Sequence, residues 1–173
     1  MSDAPHRTRV RCSLLDRLTD EAPAQPRDGG ERREVPVREL RRSVLRDLGW
    51  LLNSSGLGAV QDLAAYPRAA ASVVNFGLPE MAGRCVSGLD MHEVEHRIRK
   101  AIRDFEPRIL RESLEVRAWA ADAAPEGNRL VFEVCGDLWC QPVPERLRVT
   151  AEIDLEGGEI LVAEGGPTAA PAR

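Results

Sequence analysis

A chain of 173 residues with 43 % hydrophobic and 30 % charged residues can bury a core of its own, so neither metal nor disulfides are required to hold it. The formal net charge of −4 argues against a protein that coats nucleic acid or inserts at an anionic membrane surface. An aromatic fraction of 4 % leaves few rings for stacking on bases.

Met1 to Arg11 is polar, and no stretch approaches the ~18 apolar residues of a spanning helix, so a soluble, cytoplasmic chain is expected. Cys12, Cys85, Cys135 and Cys140 show no CxxC spacing and are expected as free thiols. Lys100 is the only lysine and every other basic residue is arginine, a side chain suited to bidentate contacts at interfaces.

Residues 1–35 read as a flexible segment carrying one short helix over 13–18, with Leu14, Leu15 and Leu18 on one side. Asp20 to Val35 is rich in Pro, Gly and charge and buries too little apolar surface to offset its ordering entropy. From Val37 the apolar residues Leu40, Val44, Leu48 and Leu51 recur at helical spacing. Pro36 suits the start of that helix, and Asn53-Ser54-Ser55-Gly56 supplies its stop. Tyr66-Pro67 predicts a shorter helix through Val74. Asp90 with Glu93 forms a capping-box pattern before the stripe Met91, Val94, Ile98, Ala101, Ile102 and Phe105, and Pro107 ends that helix.

Beyond Pro107 the period changes to two. Leu114, Val116 and Ala118 alternate with charged or bulky residues, as do Leu130, Phe132 and Val134, then Leu147, Val149, Ala151 and Ile153. Gly157-Gly158 predicts a hairpin into Ile160 and Val162. The fold class is α+β: N-terminal helices packed on one face of a three- to four-stranded antiparallel sheet. This domain spans 36–163, and the Gly-, Pro- and Ala-rich tail 164–173 is expected to be disordered.

His92-Glu93-Val94-Glu95-His96 fits the H-E-x-x-H pattern of zinc peptidases. Its helical phase argues against that reading. With Ile98 at zero, His92 falls at about 120° and His96 at about 160° at 100° per residue, away from the apolar stripe and beside arginines. No catalytic elbow, Walker loop or dinucleotide-binding glycine pattern occurs. No enzyme activity, metal or cofactor is expected.

Glu106-Pro107-Arg108 is the informative motif. The proline fixes the angle at which two opposite charges leave the helix, anchored by Phe105 and Ile109. Such an elbow either pairs with a partner or closes on itself. The basic stretch Arg97, Arg99, Lys100, Arg103, Arg108 and Arg111 is a solvated face or a dock for an acidic surface. A short open sheet also leaves an edge of bare N–H and C=O groups that another chain can complete. Leu147, Val149, Ala151 and Ile153 are the candidates for that edge.

Several segments together resemble the TssE family, the baseplate subunit of the type VI secretion system, itself similar to a wedge protein of contractile phage tails. They are Ser13 to Leu18, Gly49-Trp50-Leu51-Leu52-Asn53, Tyr66-Pro67, Ser72 to Pro79, Phe105 to Arg108, and Leu138-Trp139 followed by Gln141 to Glu145. The resemblance implies a cytoplasmic baseplate component beside TssF, TssG and TssK. It also implies contact with the TssB and TssC sheath, whose first ring the sheet would template by strand addition, and it places Glu106, Pro107 and Arg108 at the contact with other wedge proteins. The linker 20–35 and the histidine pair depart from the family pattern. Because the phage relatives have carried a lysozyme label, the alternative is a peptidoglycan hydrolase. That activity needs a second carboxyl at fixed distance from Glu106 and an acid with a raised pKa, whereas Arg108 would lower it. A zinc peptidase using His92 and His96 ranks below it.

Overall fold

The computed structural model describes residues 9–11, 13–19, 34–79, 88–119 and 129–166. The expectations for the linker over 20–33, the tail beyond Gly166, Cys12 and Cys85 fall outside these residues.

Residues 9–11, 14–18 and 34–36 carry regular structure within the segment expected to be flexible. Strands β1 (Arg9–Arg11) and β2 (Glu34–Pro36) pair antiparallel, Val10 opposite Val35. Between them lies helix α1 (Leu14–Leu18), with the Ser13 hydroxyl accepting from the Asp16 amide. Backbone pairing of residues distant in sequence satisfies polar groups that composition alone leaves to water.

Helix α2 (Val37–Leu52) follows β2 directly and buries Leu40, Val44, Leu48, Leu51 and Leu52. Its stop is Asn53, as the turn residues predict. The helix expected from Tyr66 to Val74 is broken into α3 (Pro67–Ala70) and a 3-10 turn, Val73–Asn75. Asn75 Nδ2 donates to the Ala70 carbonyl at 2.9 Å, taking the acceptor that a continuing helix would offer to Val74, while Asn75 Oδ1 accepts from Gly58 N. Gly77 closes this loop with φ +129°, and Leu78 N donates to Ser54 O at 2.7 Å.

Helix α4 (Met91–Phe105) starts where the Asp90 carboxylate accepts from His92 N at 2.9 Å. The other half of the capping box does not form, because Glu93 bonds Arg97 one turn on, at 2.7 Å. The i, i+4 ion pair competes with the reach back to the N-cap.

Four strands, β3 (Glu115–Trp119), β4 (Arg129–Leu138), β5 (Glu145–Asp154) and β6 (Ile160–Glu164), form an antiparallel meander in that order. The register places Val116 opposite Val134, Phe132 opposite Ala151, and Ile153 opposite Ile160, so one face is continuously apolar. Helices α2 and α4 cover that face, α4 beside β3 and α2 beside β6. Burying each Leu, Ile or Phe there contributes about 1.5–3 kcal/mol before chain entropy is counted. The opposite face carries cross-strand ion pairs such as Arg148–Glu133 and Arg129–Glu152. No helix among the described residues is long and apolar enough to cross a membrane.

A Cβ on Gly77 would lie 2.0 Å from the Ser54 carbonyl oxygen, in a backbone conformation L residues rarely adopt. Gly77→Ala is expected to cost at least about 2 kcal/mol. Urea denaturation checks this as a lower midpoint at unchanged slope.

Candidate docking elbow and sheet edges

Glu106 caps the C-terminus of α4 and is 3 % exposed. A carboxylate there faces the negative end of the helix dipole and has left water, so it requires a cation. Arg108 supplies it by folding back across Pro107. Its Nε donates to Glu106 Oε1 at 2.7 Å, its Nη2 donates to Oε2, and its backbone N–H adds a third bond to Oε1. The same guanidinium reaches α2, with Nη2 on Asp47 Oδ2 at 2.6 Å and Nη1 on the Ser43 hydroxyl at 3.1 Å. Burial alone would lower the Arg108 pKa, but the bonds to Glu106 and Asp47 outweigh it and raise it above the ordinary value. The elbow therefore closes on itself: Glu106 is buried, Arg108 half-buried and Pro107 exposed.

The network continues to the N-terminal segment. Arg46 Nε donates to Asp47 Oδ1 at 2.9 Å, and its Nη2, 2.8 Å from the same oxygen, is too poorly aligned to add a hydrogen bond. Arg46 Nη1 donates to Asp16 Oδ1 at 2.6 Å, and its guanidinium stacks 4.9 Å over the Trp50 ring. Charges thus alternate from Asp16 through Arg46, Asp47 and Arg108 to Glu106. Helix α1 is held to the body by this polar side, while Leu14 and Leu18 remain 69 % and 74 % exposed. Its leucines do not dock on the described body.

Beyond the elbow, Arg108 O accepts from Trp139 N at 2.7 Å and Leu110 N donates to Asp137 O at 2.8 Å, zipping the segment onto the end of β4. Gly136 leaves room for it, since a Cβ there would meet Ile109 Cγ2 at 2.7 Å.

The four residues expected to form a docking edge do not lie on one. Leu147, Val149, Ala151 and Ile153 sit on β5, which pairs with β4 on one side and β6 on the other, and all four side chains are buried. The edges are β3 and β6. Alternating apolarity reports which face a strand buries, not how many neighbours it has.

His92 and His96 face solvent in the phase the helical wheel gives, with the His92 side chain 93 % exposed. The basic stretch of α4 is largely engaged within the chain, Arg97 on Glu93, Lys100 on Asp104 and Arg99 on the Val116 carbonyl.

Residues 38–143 match the family described as baseplate wedge protein gp25. The chain belongs to the baseplate wedge protein gp25 family. No curated protein and no solved structure matches it. The match to the wedge family covers α2, α4, the elbow, β3 and β4, and β5 and β6 lie beyond it. Within this wedge chain, sequence reasoning found the elbow but missed its partners Ser43 and Asp47. The available signal was two polar residues one turn apart beside the stripe Leu40, Val44 and Leu48.

Arg108→Met leaves Glu106 buried without a partner and is expected to cost about 3–5 kcal/mol, while the double variant Glu106→Gln/Arg108→Met recovers much of that loss. Chemical denaturation of the two variants checks it. A second expectation concerns Asp16. Burial pushes its carboxyl up, but bonds from Ser13 and Arg46 outweigh this and hold it below the ordinary carboxylate range. Its stabilising contribution is complete above the unfolded value of about 3.9 and is lost as pH falls through the lowered folded value. Amide chemical shifts of Leu14 to Leu18 should therefore hold from pH 7 to about 5 and move toward unfolded positions under stronger acid. Asp16→Asn should loosen the segment already at pH 7.

Proposed function

We propose that this wedge-family chain is the TssE-type baseplate subunit of a cytoplasmic type VI secretion apparatus, seated among TssF, TssG and TssK, with its sheet templating the TssB–TssC sheath by strand addition. Membership of the family supports a structural role in a baseplate. The observation that carries the finer reading is the elbow, where an internal ion network holds exposed Pro107 and the outer side of Arg108 in one fixed geometry. A surface set in advance loses less freedom on docking than a loop ordered at the moment of contact.

The role requires no chemistry from the chain. Both Glu106 oxygens accept bonds from Arg108 in a buried position, so the carboxyl has no open face toward a saccharide. This geometry supports the assembly reading over the hydrolase reading.

Co-expression with TssF, TssG and TssK should yield a complex that survives affinity purification, and Pro107→Asp, folded to the wild-type melting temperature, should reduce recovery about tenfold, about 1.4 kcal/mol. Full recovery with that variant would remove the elbow from the interface. A muramidase assay should give background turnover for the wild type and for Glu106→Gln alike.

A further inference from the structure

His92 and His96 take no part in the elbow and stand at the opposite end of α4 from it. They are the second and sixth residues of a 15-residue helix. Four positions advance about 6 Å along an α-helix and about 40° around it, so the two rings project from one side. Both residues are exposed, the His92 side chain at 93 %. The phase that turns the pair away from a catalytic cleft leaves both rings open to an ion from solvent.

The His92 ring has an orienting neighbour. Its Nδ1 lies 3.5 Å from Glu95 Oε2. Glu95 is fixed in turn, because its Oε1 accepts from Ala118 N on β3 at 2.6 Å. A carboxylate at one ring nitrogen holds the imidazole from that side and presents Nε2 as the ligand atom. Val94 and Ile98 bury the other face of this turn of helix. The backbone under the pair is therefore set before any ion arrives, which lowers the cost of binding.

The surrounding charge admits a cation. Arg97 pairs with Glu93 at 2.7 Å, Lys100 pairs with Asp104 at 2.6 Å, and Arg99 donates to the Val116 carbonyl at 2.9 Å. Among the described residues, no arginine or lysine pairs with Asp90 or Glu95.

The number of ligands selects the metal. Among the described residues, no three His, Cys, Asp or Glu side chains gather into a group that could hold an ion. A zinc centre with three or four protein ligands is therefore not built there. Two imidazoles with water at the remaining positions suit nickel(II) or copper(II), which take nitrogen and oxygen ligands in square-planar or tetragonal geometry. We propose that His92 and His96 chelate one such ion on the surface of α4, with Glu95 as the positioning residue for His92. The inference does not depend on the baseplate reading.

Titration of the full chain with nickel(II) chloride, followed by calorimetry and amide NMR, tests it. One equivalent should bind, with paramagnetic broadening centred on the amides of residues 92 to 96. His92→Ala and His96→Ala should each weaken binding at least about tenfold, since the second ring acts at a high effective concentration. His6→Ala should change nothing. Glu95→Gln keeps an acceptor for Ala118 N and should weaken binding about tenfold, with the melting temperature of the metal-free chain unchanged. Unaltered affinity in either helix histidine variant, broadening centred outside α4, or the lack of saturable binding overturns the site. Unaltered affinity in Glu95→Gln overturns the positioning role.

Discussion

Glu106 sits at the C-terminal end of a helix, out of water, where both its charge and its position are unfavourable. Everything around it answers that constraint. Pro107 turns the chain so that Arg108 returns to the carboxylate, and the far side of the guanidinium then requires acceptors of its own, which Ser43 and Asp47 supply from α2. The phase of α2 is thereby fixed relative to α4 by directional bonds as well as by the packing of Leu40, Val44 and Leu48. Buried ion pairs of this kind add little net stability compared with apolar replacements, but they specify one arrangement because breaking either partner is costly. The elbow is best understood as a geometric device.

The periodic elements were legible in the chain because their signals are local. The stripe from Leu40 to Leu51 and the alternation from Leu130 to Val134 each contain their own evidence of which side is buried. The elbow motif was legible as a residue triplet, but its closure was not, since Arg108 meets Asp47 across 61 positions and Ser43 across 65. Strand neighbours were equally hidden. Leu147, Val149, Ala151 and Ile153 alternate as an edge strand with one buried face would, and only the pairing of β4 and β6 on either side reveals an interior strand. Asn53 read correctly as a helix stop. Its second task, on Ile160, spans 107 positions and leaves no trace in local sequence.

These two sets of contacts meet on one helix. Ser43 and Asp47 lie on the side of α2 turned to the elbow, while Arg41 and Asn53 lie on the side turned to β6. The helix is 16 residues long, about 24 Å at 1.5 Å per residue, and its apolar face is locked into the core. The elbow and the β6 edge are thereby held at a fixed relative position with no moving part between them. That arrangement transmits geometry rather than energy. Loss of the Arg108 bonds to Ser43 and Asp47 would free α2 to shift against the elbow and blur the angle between the elbow and β6.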